Sequence, residues 1–292
     1  VAAVPEPSHV AGGPEPASAD SGDRRMPYPP GTIVAGMGRS GTSLVTNALG
    51  CAGWRLGERL IVANRRNQRG FFEDAAVNEL HKRMLAEHGL VWNDVDGLRL
   101  LRGRRLAIPP GCRTAAERIV ADYRSGPAWA WKNPKATPFL HAWAELVPEA
   151  RFLLCVRHPA GVAASLRRRR DSMLGGNRSK LRYYARAFSL WRSYNLVVLD
   201  FVREQPDRAA IVLIPDDVPV LEAVMSGVFE SELMHEPSAK VRLASRAAVA
   251  SLALYSELRE LHDPAKLEAF LAPPQATTAP ARSPRQSSSL AR

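Results

Sequence analysis

The sequence has no apolar run that approaches the roughly 20 residues a membrane-crossing helix needs. Its most apolar stretches, around Arg151 to Val156 and Leu196 to Val202, stop far short of that length, so a soluble protein with no membrane partner is expected. Cysteine is scarce. Cys51, Cys112 and Cys155 are odd in number and widely spaced, with no C-x-x-C pair and no His-rich ligand set beside them. That pattern argues against a disulfide framework and against a zinc site, and it suits a reducing cytoplasm. The first residues, Val-Ala-Ala-Val followed by Pro, Glu, Ser and Asp, lack the basic and apolar regions of a signal peptide, so export is not expected. Zinc-finger and RNP-type patterns are also missing, which leaves no specific reason to read the chain as a nucleic-acid binder.

What is present is enough for one large core. The 292 residues are 46% hydrophobic and 24% charged, which points to one main domain with additions. The formal net charge of +11 favours an anionic partner, and nucleic acids, acidic glycans and phosphorylated nucleotides all qualify on charge alone. Residues 1–29 are rich in Pro, Ala, Gly, Ser and acids and poor in large apolar groups. They bury too little to offset ordering entropy and read as a disordered tail, as does 273–292. The folded domain is expected over 30–272.

Within it, the β-branched run Gly31-Thr-Ile-Val-Ala leads to Gly36, after which Ser43 to Leu49 has helical composition. A second strand-to-helix unit follows at Arg151-Phe-Leu-Leu-Cys-Val and Ala160 to Arg170, with Pro159 suited to a first helical turn. Ala209 to Ile214 reads as a further buried strand. Helices are expected over Asp74 to His88, Leu181 to Glu204 and Ala244 to His262. Alternating strands and helices imply an α/β fold with a central parallel sheet flanked by helices.

Gly36-Met-Gly-Arg-Ser-Gly-Thr-Ser43 lies between a predicted strand and a predicted helix, the context of a phosphate-cradling loop. Its spacing matches G-x-x-x-x-G-K-[ST] except that Thr42 stands where the Lys belongs. Without that Lys a triphosphate with its magnesium loses its main positive clamp, and a nucleotide with one 5′-phosphate suits the loop better. Gly36, Gly38 and Gly41 let the backbone curl around an anion, and Ser40, Thr42 and Ser43 supply hydroxyls.

These residues resemble a known family. Gly36-Met-Gly-Arg-Ser-Gly-Thr-Ser-Leu-Val-Thr-Asn-Ala-Leu49 is similar to the 5′-phosphosulfate loop of sulfotransferases that use 3′-phosphoadenosine 5′-phosphosulfate (PAPS), with Arg39 at the basic position before Ser-Gly-Thr. Arg157-His-Pro159 with Ser165 eight residues after the Arg resembles the family's 3′-phosphate motif. A forked guanidinium at a strand end suits a phosphate on physical grounds as well. The resemblance implies a P-loop NTPase-like three-layer sandwich, PAPS as co-substrate and no metal. It also implies sulfonate transfer by in-line displacement to a hydroxyl or amine of a small-molecule, carbohydrate or peptide acceptor.

By the same resemblance, Glu73 in Asn67-Gln-Arg-Gly-Phe-Phe-Glu-Asp74 stands at the distance of the family's base, and Lys132 in Trp131-Lys-Asn-Pro-Lys135 matches a Lys that acts on the sulfonate. Cofactor contacts are implied for Gly38, Arg39, Ser40, Gly41, Thr42, Ser43, Arg157 and Ser165. His81 is a second candidate base, Asp74 a candidate helix cap, and Asn133 departs from the family's usual hydroxyl residue. Arg65, Arg66 and Arg69 would line an acceptor entrance, Arg167 to Arg170 read as a solvated basic face, and Trp191 and Tyr194 read as core. Two other readings compete. An ATP-dependent P-loop phosphotransferase lacks its Lys and a convincing magnesium acid, since Asp200 falls in a helical run and Asp216 follows a proline. A catalytically inactive sulfotransferase-like binding protein would not need Glu73 and Lys132. The resemblance spans about residues 31 to 200 and fades beyond Pro215.

Overall fold

A computed structural model of the chain describes residues 30–62, 70–92, 105–168, 180–225 and 246–274. The tails expected at 1–29 and 273–292 lie outside them, except for Pro273 and Pro274. Strand β1 (Gly31–Gly36) is followed by α1 (Thr42–Cys51), α2 (Ala75–Glu87) and α3 (Pro110–Arg124). Strand β2 (Trp129–Lys132), a 3-10 turn (Pro134–Phe139) and α4 (Leu140–Leu146) come next. Then follow β3 (Ala150–Arg157), α5 (Pro159–Arg168), α6 (Lys180–Glu204) and β4 (Ala209–Ile214). Helices α7 (Val218–Val224), α8 (Arg246–Glu260) and α9 (Pro264–Leu271) close the described chain.

The four strands form one parallel sheet in the order β2-β1-β3-β4. Side chains alternate between its faces. Ile33, Ala35, Trp131, Phe152, Leu154 and Ile211 pack into one core with α2 to α6 and α8. Val34, Ala130, Leu153, Cys155 and Val212 pack into a second core with α1, α7 and α9. Burial on both faces explains why β1, β3 and β4 read as continuous apolar runs, and it gives the three-layer α/β arrangement expected from the sequence.

Local chemistry sets several boundaries. Asp74 caps α2, its Oδ1 accepting from the amides of Ala76 at 2.8 Å and Val77 at 3.2 Å. Pro159 opens α5, where its missing N–H would be unpaired in any case. Among the described residues no helix is long and apolar enough to cross a membrane.

The strand order also fixes where a ligand belongs. From β1 the chain moves outward to β2 on one side, and from β3 it moves outward to β4 on the other. The connections leaving the C-terminal ends of β1 and β3 therefore part company. The crevice between them is the position at which open α/β sheets bind ligands.

Candidate active site

The loop after β1 sits at that crevice. Gly36 takes φ 123°, and a side chain there would meet the Cys155 carbonyl oxygen at 2.4 Å, so the loop leaves the strand against the β3 backbone. Its amide donates to Thr137 Oγ1 at 2.9 Å, which ties the loop to the turn after β2. Gly41 (φ 87°) presses on Ile214 at the end of β4. Arg39 holds φ 79°, a left-handed conformation that is uncommon outside glycine and that concentrates at functional sites.

Several features of this loop suit an anion. Helix α1 has no side-chain N-cap and no acid in its first turn, so neither supplies a carboxylate to its leading amides and positive dipole end. The Ser40 hydroxyl is buried with no hydrogen-bond partner. A buried polar group left so is costly unless a ligand completes it. Above Gly38 there is open space: an added Cβ would meet nothing within 4 Å. Thr42 is buried at the helix start, and the Ser43 hydroxyl donates to the Phe71 carbonyl at 3.3 Å, joining the loop to the segment that bears Glu73.

Arg39, Arg157 and Ser165 come together across the crevice. Arg39 Nε donates to Ser165 Oγ at 2.9 Å, and Arg157 Nη1 reaches the Arg39 carbonyl at 3.5 Å. Arg157 is buried at the end of β3, and its carbonyl accepts from Trp191 Nε1 at 2.9 Å. Trp191 thus belongs to the core and braces a strand end. Tyr194, also core, donates its hydroxyl to the Trp92 carbonyl at 2.6 Å. Arg167 and Arg168 are exposed at the end of α5, with Arg167 over the Tyr184 ring. Arg65, Arg66, Arg69, Arg102, Arg104, Arg169 and Arg170 lie outside the described residues.

Glu73 and Lys132, 59 positions apart, form a buried ion pair: Lys132 Nζ donates to Glu73 Oε1 at 2.7 Å. Lys132 ends β2 and is only 1% exposed. Burial pushes its ammonium below the usual lysine range, and the Glu73 carboxylate opposes that shift. A second cation, Lys135, stands 3.9 Å from Glu73 Oε2 and donates to Asn78 Oδ1 at 2.9 Å. Asn133 accepts from the Lys135 amide at 2.9 Å and donates to Asn78 at 3.3 Å, so it caps the turn after β2. Phe72, just before Glu73, holds φ 50°, a second left-handed non-glycine residue beside the pair. Lys135, Asn78 and Thr137 were not singled out in the sequence. Nothing in their local pattern marks them, apart from the short repeat of Lys at 132 and 135.

His81 is placed differently. It is wholly buried, and both ring nitrogens are engaged by protein: Nδ1–H donates to the Val77 carbonyl at 2.7 Å, and Nε2 accepts from Trp143 Nε1–H at 2.9 Å. Because Trp can only donate, the neutral tautomer is fixed, and no nitrogen is left to take a substrate proton. Burial lowers its pKa to about 3. The unfolded chain protonates this His below its ordinary value of about 6.5 while the folded one does not, so its contribution is complete above pH 6.5 and is lost as pH falls toward 3. The expected slope is about 1.4 kcal/mol per pH unit. Denaturant unfolding at pH 6.5 and 4.5 measures it. His81→Gln should lose less stability than wild type between those two pH values, and equal losses would contradict this account.

Residues 30–208 match the sequence profile of the Sulfotransferase family. No curated protein matches the chain. Solved structures that match include the sulfotransferase domain of the Synechococcus PCC 7002 olefin synthase, at 21% identity over 87% of this chain and 90% of that one, with a TM-score of 0.41. The sulfotransferase domain of the curacin biosynthetic pathway is 16% identical over 81% of this chain and 92% of its own, with a TM-score of 0.40. Sulfotransferase STF1 of Mycobacterium tuberculosis H37Rv is 12% identical over 84% and 76%, with a TM-score of 0.41. With the profile covering more than half of its length, the chain belongs to the sulfotransferase family.

Proposed function

We propose that this protein transfers a sulfonate group from PAPS to a hydroxyl or amine of a small-molecule, carbohydrate or peptide acceptor. The observation that carries the reading is the buried Glu73–Lys132 pair, a carboxylate and an ammonium 2.7 Å apart at the C-terminal edge of the sheet. It stands on the same sheet edge as an uncapped helix N-terminus and an Arg-Arg-Ser cluster. In this reading the loop amides with Ser40 and Thr42 hold the 5′-phosphate side, assisted by Gly38 and Gly41, and Ser43 fixes the loop to the Glu73 segment. Arg39, Arg157 and Ser165 hold the 3′-phosphate.

PAPS supplies an activated sulfonate on a phosphate leaving group, so that an S–O bond to a hydroxyl acceptor, or an S–N bond to an amine, forms as the S–O bond to the phosphate breaks. Glu73 takes the acceptor proton. On doing so it loses its charge, and Lys132 is released from its ion pair to oppose the negative charge that grows on the leaving oxygen. Lys135, itself held by Asn78 Oδ1, faces Glu73 from its other side. The residues ask for no metal in these steps.

Calorimetric titration tests this without any acceptor. The protein should bind 3′-phosphoadenosine 5′-phosphate and respond weakly to ATP with magnesium; the reverse preference would overturn the reading. Arg157→Ala should weaken 3′-phosphoadenosine 5′-phosphate by about 10- to 100-fold, the size of one or two charge-assisted hydrogen bonds, and adenosine 5′-phosphate much less. Equal losses for both nucleotides would remove Arg157 from the 3′-phosphate site.

A further inference from the structure

On the flank where α6 runs down to β4, His141 of α4 faces two carboxylates of α6. Asp200 and Glu204 are four residues apart and so share one side of that helix. His141 Nε2 lies 3.4 Å from Glu204 Oε2 and 3.9 Å from Asp200 Oδ2, and all three ligand atoms fall within 4.8 Å of one another. The His141 side chain is only 8% exposed, its Nε2 is buried, and that atom makes no hydrogen bond. The separations exceed the roughly 2.7–2.9 Å of a charge-assisted hydrogen bond. The 3.4 Å separation from Glu204 is close to the roughly 3.3 Å edge of a tetrahedron built from metal–ligand bonds of about 2.0–2.1 Å, and the 3.9 Å separation from Asp200 is longer than that edge.

We infer that His141, Asp200 and Glu204 form a divalent-cation site of zinc type, which ties α4 to α6. One imidazole nitrogen, two carboxylate oxygens and no thiolate make a mixed donor set of the kind zinc accepts, with water completing the shell. Arg105 pairs with Glu204 Oε1, leaving Oε2 turned toward His141. Two carboxylates against one guanidinium leave a net negative charge for the ion to neutralise. The buried histidine supplies a fixed nitrogen, and the two partly exposed carboxylates close on the ion by small side-chain rotations.

Glu204 is the last residue of α6 and leads into the N-terminal end of β4, whereas Lys132 and Arg157 end their strands at the opposite edge. The site is therefore a structural clamp, separate from the transfer chemistry. No local spacing reveals it, because His141 and the two acids are about 60 positions apart in the chain.

The test is a calorimetric titration of the metal-stripped full chain with zinc chloride, paired with thermal unfolding. Wild type should bind one equivalent, and zinc at a hundredfold excess over its Kd should raise Tm by about 5 °C. Asp200→Asn, a change at an exposed position, should weaken zinc at least about tenfold, and His141→Gln should do the same if it folds. Asp216→Asn, an exposed acid elsewhere, should leave zinc binding as it is. The inference is overturned if wild type shows no saturable binding or no rise in Tm, or if Asp200→Asn binds zinc as wild type does. None of these readouts depends on nucleotide binding or turnover, so failure here leaves the proposed transfer activity standing.

Discussion

Glu73→Gln is expected to lower turnover by about two to four orders of magnitude, the range for removal of a general base, while leaving 3′-phosphoadenosine 5′-phosphate binding intact. Gln keeps the size of Glu and an oxygen able to accept from Lys132, whose Nζ lies 2.7 Å from Oε1. What it loses is the capacity to take a proton, together with the charge that compensates buried Lys132, so some stability is lost along with turnover. The nucleotide contacts proposed for the β1 loop and for Arg157 do not include Glu73, so calorimetry with the bisphosphate should match wild type. Turnover is measured with an acceptor returned by a screen of hydroxyl and amine compounds. Unchanged turnover would remove Glu73 from the mechanism.

Lys132→Met should act on both stability and turnover. Breaking a buried pair leaves an uncompensated charge, at a typical cost of about 3–5 kcal/mol. Lys135, 3.9 Å from the other Glu73 oxygen, places the expected loss at the lower end of that range. Turnover should fall by about 10² to 10³, as on removal of one transition-state donor. The double variant Lys132→Met with Glu73→Gln should recover much of the stability and none of the activity, because the stranded charge is then gone. If the single variant unfolds within about 1 kcal/mol of wild type in denaturant, Glu73 does not depend on Lys132 for compensation.

Much of the nucleotide half was legible in the sequence. Gly31 to Ala35 and Arg151 to Val156 read as strands because both their faces are buried, which leaves unbroken apolar runs next to glycine and proline signals. Asp74 read as a cap because its short carboxylate precedes a helical pattern, and it does cap α2. The transfer half was less legible. Strand β2 is only four residues long, and its Trp-Ala-Trp-Lys carries alternation too brief to register, although two tryptophans on one face were a usable signal. Helix α3 opens on Pro110, a start signal that was passed over, and is rich in Ala and Arg.

Glu73 and Lys132 were each singled out only through family resemblance, and their pairing with one another was not foreseen, because tertiary contact between such distant residues leaves no local period. The same holds for the Arg39 side chain. Its place before Ser-Gly-Thr suggests the 5′-phosphate, whereas the guanidinium lies on Ser165 across the crevice. His81 shows the opposite case. A histidine one or two turns into a helix carries no sign of its environment, and only the contacts with Val77 and Trp143 reveal a core residue.

The sheet order has a consequence for how such a protein diversifies. The groups assigned to the nucleotide hang from β1 and β3, the interior strands, whereas Lys132 ends β2 at the margin of the sheet. Interior strands are held by neighbours on both sides, and changes there disturb the whole sheet. A margin tolerates insertions and new neighbours. In the proposed reading, the donor groups hang from strands held on both sides, and the transfer lysine hangs from one held on a single side.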